Sequence, residues 1–564
     1  MTIKIIEQKK EVELHLPDGS ILSGPRGTQV GEFLKKVKDD FSAPIVAAII
    51  NNGIRELTYP IEIESYCTPI TMDTADGARI YRRSLVFLLE VAFADLFPNS
   101  KLTIDHSLSS GGFYCQVTDR DELTQNELSS LKTHMETLVK EDHLFGRKQV
   151  PRQEAIEYFE KLGYNDKVRL LTYRQKDYLT LYSLGDRMDY LHGYMVPSTS
   201  YLRWFELKLA EGGFIVQFPR RHAPTQLEPI GDYPKLISAF RQYGDWLTRL
   251  NIDSVGALND AIESGRADEI VLVSEALHEQ NVADIAQQIA QKNSRIILIA
   301  GPSSSGKTTS SRRLAIQLLA RGVSPFPLEL DNYFIDRANT PLDKLGKPDY
   351  ESIEALNLTL LAQDIEKLLS GEKTQLPRYN FLTGMSEAGD VIQLKDHQPL
   401  ILEGIHGMNP RLIPDRWSGA AFRVYVSALT QINLDRHNRV STTDTRLIRR
   451  MVRDARERGY SATQTISNWE SVRRGEKLHI FPYQENADVM FNSALVYELA
   501  ALKPLAEPLL RQVPYNVPEF IEARRLLAFL EWFLPLDASA IPGNSIVREF
   551  LGGSSLKGFK IWRG

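Results

Sequence analysis

The chain changes its hydrophobic rhythm several times. Over residues 1–70 apolar and polar positions alternate, and "EVELHLPDGSILS" reads as strand, Pro-Asp-Gly turn, strand. A short amphipathic helix is predicted at 30–37, followed by the apolar run "PIVAAIINN" and a closing strand near Ile61. This pattern predicts a small β-grasp domain over 1–72. From 73 to 225 the character becomes α+β: a long apolar helix, "RSLVFLLEVAFADLF", then the strand-like "GGFYCQV" and "GGFIVQF". Residues 226–292 read as a mostly helical connector. Over 293–514 buried-strand patterns at 295–300, 325–330, 399–402, 422–427 and 488–492 alternate with helical ones. That alternation predicts an α/β domain, a parallel sheet with helices on both faces. A last helix, "EFIEARRLLAFLEWFL", and a Gly/Ser-containing tail complete a multidomain chain over 515–564.

Composition adds exclusions rather than a function. With 564 residues the expectation is about three or four domains. A net charge of −5 gives no global basic field for nucleic acid, so such a contact must be a local patch. Cys67 and Cys115 can supply neither a disulfide framework nor a zinc cluster alone, which fits a reducing compartment. The first residues, "MTIKIIEQKKEVE", lack a signal-peptide core, and no run approaches the ~18 apolar residues of a spanning helix. The expectation is a soluble, cytoplasmic protein with no membrane contact.

The chemistry centres on "LIAGPSSSGKTTSSRRLA". Gly301, Gly306, Lys307 and Thr308 match G-x-x-x-x-G-K-[ST], placed between a predicted buried strand and an amphipathic helix. Glycines let successive amides curl toward phosphates, and the helix N-terminus adds partial positive charge. Gly301, Ser303, Ser304, Ser305, Gly306, Lys307, Thr308 and Thr309 are therefore the candidate nucleotide contacts. Lys307 is placed to reach the β- and γ-phosphates, and Thr308 to offer its hydroxyl to Mg²⁺.

Three further sites fit this loop. Asp331, in "LELDNYF", falls at the C-terminal end of a predicted strand, where open α/β sheets bind ligands. There it could take a hydroxyl proton or orient Mg²⁺ through water; a helix-capping or Asx-turn aspartate is the alternative. Glu403 ends the apolar strand of "PLILEGIHG", a position for a second metal contact or for a plain surface glutamate. In "DTRLIRRMVRDARERG", Arg446, Arg449, Arg450 and Arg453 share one helical face, whereas Arg456 is placed toward solvent. A phosphate lid is the favoured reading. A solvated face paired with Asp444, Asp454 and Glu457, or a nucleic-acid patch, are the others.

Seven motifs in order carry a resemblance over about 295–500: "GPSSSGKTT", "LDNYF", "PDYESIEALNL", "LPRYNF", "ILEGIH", "DTRLIRRMVRDARERG" and "FPYQENADVMF". This region resembles the uridine kinase / phosphoribulokinase family of P-loop kinases. The resemblance implies that Asp331 is the catalytic acid/base, with Lys307, and that Thr308, Glu403 and Asp331 serve Mg²⁺. It also implies that Asp349 and Tyr379 contact the nucleoside, with Asn380 and Arg446 beside them, and that Arg449 and Arg453 belong to the lid. Asn380 and Gly384 stand where uridine kinases tend to carry an aspartate and a histidine.

Residues 1–72 resemble the TGS domain, and 73–225 resemble the editing-associated second domain of threonyl- and alanyl-tRNA synthetases. "HLPDGS", "YRRSLVFLLEVAFADLFPNSKLTI", "GGFY" and "MDYLHGYMVPS" carry that likeness. Where the family's His-x-x-x-His pair and later Cys and His belong, this chain has Arg83, Phe87, Leu191 and Met195. Phe87 and Leu191 can coordinate nothing, so editing chemistry is expected to be lost, with His192 a structural hydrogen-bonder. The expected function is ATP- and Mg²⁺-dependent phosphorylation of a nucleoside 5′-hydroxyl. Kept beside it are a kinase of another small alcohol and an RNA-binding, translation-linked regulator that uses ATP as a switch. RNA contact through the front half and homo-oligomerisation stay open.

Overall fold

A computed structural model describes residues 10–559 apart from Ser109, Ser110, Asp232, Lys344, Leu345, Phe381 and Gln431. The charged start of the chain therefore lies partly outside the described residues. At the front, five strands form one sheet in the order Ile21–Pro25, Glu11–His15, Ser65–Thr71, Ile45–Ile50 and Gly53–Glu56. Its central pair, Glu11–His15 and Ser65–Thr71, is parallel. The short helix Val30–Leu34 buries Val30, Phe33 and Leu34 against it. No strand forms at Ile61. Pro60 just before it has no amide to donate, and the Ile61 amide bonds the Thr28 carbonyl at 2.9 Å, so the strand starts at Ser65.

The apolar helix of the second domain runs Ala75–Leu96, capped by the Thr74 hydroxyl on the Gly77 amide at 3.1 Å. It packs against an antiparallel sheet in which Gly112–Thr118 and Gly213–Gln217, the two Gly-Gly-Phe strands, are direct neighbours. Three helices follow: Pro234–Arg249, Val255–Glu263 and Ala267–Lys292.

The third sheet is fully parallel, ordered Phe326–Glu329, Leu400–Glu403, Ile296–Ala300, Ala421–Ser427 and Val489–Asn492. Each predicted strand is present. Helices Lys307–Leu319, Leu358–Leu369, Thr442–Arg458 and Ala462–His479 surround it. The expected tail folds back instead. Ile541, Ile546, Val547 and Phe550 are buried in the same core as the sheet, because these apolar residues complete its packing beside the P-loop helix. Among the described residues no helix is long and apolar enough to cross a membrane.

The loop after strand Ala421–Ser427 joins the second and third domains. Asn438 donates to the Tyr190 carbonyl at 2.8 Å and accepts from the His192 amide at 3.1 Å, and the Ile104 amide bonds the Arg436 carbonyl. Behind it lies a buried charged cluster. Lys167 lies 2.8 Å from Asp189 and 3.0 Å from Asp435, and His437 lies 2.8 Å from Asp189. Phe87, Leu191 and Met195 are core residues. Arg83 donates to the Tyr194 carbonyl at 2.7 Å. Burial pushes His192 down to about 3, which leaves it a neutral hydrogen-bonder next to Tyr190.

Candidate active site

Parallel strands deliver their C-terminal ends to one edge, and three adjacent strands build this site there. Ile296–Ala300 runs into the P-loop, Leu400–Glu403 ends on Glu403, and Phe326–Glu329 runs straight into the short turn carrying Asp331. Gly301 must be glycine: a Cβ there would lie 1.9 Å from the Val426 carbonyl oxygen. Gly306 takes the left-handed conformation (φ 86°) at the start of the P-loop helix.

The loop is held from outside by its carbonyls. Arg446 donates to the Ser303 carbonyl at 2.8 Å, Arg449 to that of Ser304 at 3.4 Å, and the Ser493 hydroxyl to that of Ser305. Ser304 itself is left-handed (φ 58°), a strained state for a non-glycine residue that these contacts sustain. The Ser303 amide is taken by Glu476 at 3.1 Å, and its hydroxyl accepts from Arg450 at 2.8 Å.

This arrangement changes the reading of the arginine helix. Arg446 and Arg449 are 1% and 0% exposed. Arg446 is ion-paired with Glu476, and Arg449 with Glu498, under the phenyl ring of Phe550 at 4.9 Å. The sequence assigned Arg446 to substrate and Arg449 to a lid; the structure places both beneath the P-loop as props. Burying a guanidinium requires a partner acid, and Glu476 and Glu498 come from later segments that helical spacing could not reveal. Arg453 remains on the site side, paired with Asp454 at 2.8 Å. Arg456 does not face solvent alone: it donates to the carbonyls of Phe550 and Glu549, the latter at 3.0 Å.

Lys307 rests on the Pro302 carbonyl at 3.2 Å. Thr308 donates its hydroxyl to Glu403 at 3.1 Å, so two oxygen ligands suited to a hard divalent cation are already side by side. Burial pushes the Glu403 carboxyl up to about 7, with Lys307 pulling it back and Asp331 adding to the rise. Asp331 forms no ion pair or side-chain hydrogen bond among the described residues. Desolvation raises its carboxyl above the usual range, opposed by the charges of Lys307, Arg458 and Arg453.

Of the other candidates, Asp349 accepts from the Glu351 amide at 3.1 Å and lies 3.5 Å from His479. Tyr379 is buried with its ring 5.6 Å from that of Phe334. Asn380 spends its side chain inside the Thr374–Asn380 / Met385–Ile392 hairpin, on Glu387 and the amides of Leu382 and Thr383.

Three residues beside the site escaped the sequence reading. Glu351 lies inside a recognised motif, and burial together with the Glu476 charge pushes its carboxyl up to about 7. Arg450 shared the flagged arginine face without being singled out. Glu549 carried no signal at all, lying far along the chain. Its carboxylate accepts from the Thr309 amide at 3.2 Å and hydroxyl at 2.8 Å, on the first turn of the P-loop helix.

Residues 296–500 match the phosphoribulokinase / uridine kinase family. The front half matches threonine–tRNA ligases. That of Desulforamulus reducens is 29% identical over 204 residues, 36% of this chain and 32% of the ligase. That of Lawsonia intracellularis is 30% identical over 179 residues, 32% of this chain and 28% of the ligase. The chain thus spans about a third of the length of these curated relatives. Among solved structures, one described as "a Possible Uridine Kinase" from Bacillus stearothermophilus is 20% identical at a TM-score of 0.24, covering 35% of this chain and 88% of that one. D-glycerate 3-kinase from Cryptococcus neoformans is 16% identical at a TM-score of 0.22, covering 47% and 89%.

Proposed function

We propose that the chain is an ATP-dependent kinase that transfers the γ-phosphate to the 5′-hydroxyl of a nucleoside, with Mg²⁺. A single observation carries the reading. Three neighbouring strand ends bring together a P-loop, a Thr308–Glu403 oxygen pair and Asp331, a carboxylate with no partner among the described residues.

Each residue then has a step. Lys307 leaves the Pro302 carbonyl for the β- and γ-phosphates, a short swing of a flexible side chain. Asp331 accepts the proton of the acceptor hydroxyl as its oxygen attacks; the raised carboxyl is a better base than an ordinary aspartate. Arg453 and Arg458, whose charges already reach Asp331, stabilise negative charge spreading over the transferred group. Thr308 and Glu403 would hold Mg²⁺, which when bound neutralises the phosphate oxygens. Thr309 can serve phosphate only after the Glu549 carboxylate releases its amide and hydroxyl, so nucleotide entry turns that side chain away.

Asn380 supports a second reading, a kinase of another small alcohol. Its amide oxygen accepts from Leu382 and one of its N–H donors goes to Glu387, both within the hairpin, which favours a turn-forming role over base recognition. A panel of nucleosides and other small alcohols, followed by ADP release, separates the two. Stimulation by nucleosides supports the first, stimulation by a non-nucleoside alcohol the second. RNA-stimulated ATP turnover without any alcohol acceptor would overturn both.

A further inference from the structure

A cavity of about 420 Å³ lies between the second domain and the P-loop domain. Its walls come from the Ala75–Leu96 helix, from the loop that joins the two domains, and from the helix Ala462–His479. None of the P-loop residues, nor Asp331 or Glu403, lines it.

Its charge is one-sided. Ten arginine and lysine side chains line it against two carboxylates, Asp444 and Glu470, and both acids are already paired, with Arg525 and Arg221. Four of the cations, Arg82, Arg83, Arg439 and Lys477, form no ion pair among the described residues. The three arginines make one hydrogen bond apiece, to the backbone carbonyls of Ala78, Tyr194 and Asp105. Each guanidinium has five N–H donors, so most of this capacity is unspent. Desolvation, reinforced by neighbouring cations, pushes Arg82 down to about 9 and Lys477 down to about 8. Arg82 and Arg439 lie over the rings of Phe218 and Phe113, which offsets part of their charge, and a bound anion would remove the destabilisation that remains.

We propose that this cavity is a second ligand site, taking a small, multiply charged phosphate or phosphate ester separate from the nucleotide on the P-loop. Its volume falls within the range of small-molecule pockets. Arginine forks bind phosphate oxygens in pairs, and four unmatched cations suit a ligand of roughly two to four negative charges, as a diphosphate carries and a single carboxylate does not. The cavity also meets the N-terminal turn of the arginine helix at Ser441, Thr442 and Thr443, where helix polarity favours an anion. That same helix props the P-loop through Arg446 and Arg449, so the second ligand would sit on the element that shapes the first site.

The test uses the full chain carrying Lys307→Ala, which weakens phosphate binding at the P-loop, and inorganic pyrophosphate as the probe in titration calorimetry. The expected result is one site per chain that Arg439→Met and Lys477→Met each weaken about tenfold or more. Lys477 has no hydrogen-bond or ion-pair partner to lose among the described residues, so Lys477→Met reports on the site even where Arg439→Met disturbs folding. Absence of pyrophosphate binding to the Lys307→Ala protein would overturn the proposal. So would binding that Lys477→Met leaves unchanged, or capture of a short RNA oligonucleotide through these residues where pyrophosphate fails.

Discussion

Glu549 occupies the first turn of the P-loop helix, its carboxylate accepting from the amide and hydroxyl of Thr309 at 3.2 and 2.8 Å. In the proposed function an acid there takes donors meant for a nucleotide phosphate, and Arg456 pins the same segment through the Glu549 and Phe550 carbonyls. Glu549→Gln removes the competing charge. ATP affinity, read by calorimetry, should rise about tenfold, the equivalent of one charge-assisted hydrogen bond of ~1.5 kcal/mol. Unchanged or weaker ATP binding would show that Glu549 only supports the fold.

The arginine helix should divide by burial. Arg449→Ala leaves Glu498 buried without its guanidinium and should cost about 3–5 kcal/mol in urea denaturation. Arg453, 14% exposed at its side chain and paired among the described residues only with its neighbour Asp454, should cost far less stability. Its alanine variant should instead lower kcat by about ten-fold to a thousand-fold at saturating ATP. Equal stability losses in the two variants would contradict the division.

That division shows where the sequence was readable and where it was not. The P-loop, the parallel strands, and Asp331 and Glu403 at strand ends follow from local patterns: a continuous apolar run, a glycine spacing, an acid just past the run. Helical spacing placed four arginines on one face, but not which of them would be covered. Covering depends on Glu476 and Glu498, 30 and 49 residues from the arginines they pair with. Glu549, 240 residues from Thr309, is further still beyond local reading. The tail's Gly/Ser composition said nothing of where it packs, and Ile546 and Phe550 among those residues close the core.

Glu351 gives a pH signature. Its Oε2 is shut from solvent without a hydrogen-bond partner, and burial and Glu476 raise its carboxyl from 4.5 to about 7. Between those values the folded chain holds a proton that the unfolded chain releases. Its contribution to stability is therefore full below about pH 4.5, declines as pH rises, and is lost above about pH 7. Glu351→Gln stays neutral throughout. Urea midpoints at pH 5 and pH 8 should show the variant gaining on the wild type at the higher pH. A constant difference between the two proteins would refute the assignment.

The measurement closest to the central claim is acceptor-dependent phosphoryl transfer in Asp331→Asn, set beside its ATP affinity. In the proposed function Asp331 acts on the acceptor hydroxyl, whereas Lys307 binds the phosphates. Asp331→Asn should lower kcat with the best acceptor by about 10²–10⁴-fold while ATP binding stays near wild type. Lys307→Ala should lose both. Wild-type turnover in Asp331→Asn, or ATP binding lost in step with its turnover, would contradict a kinase that uses this carboxylate as its base.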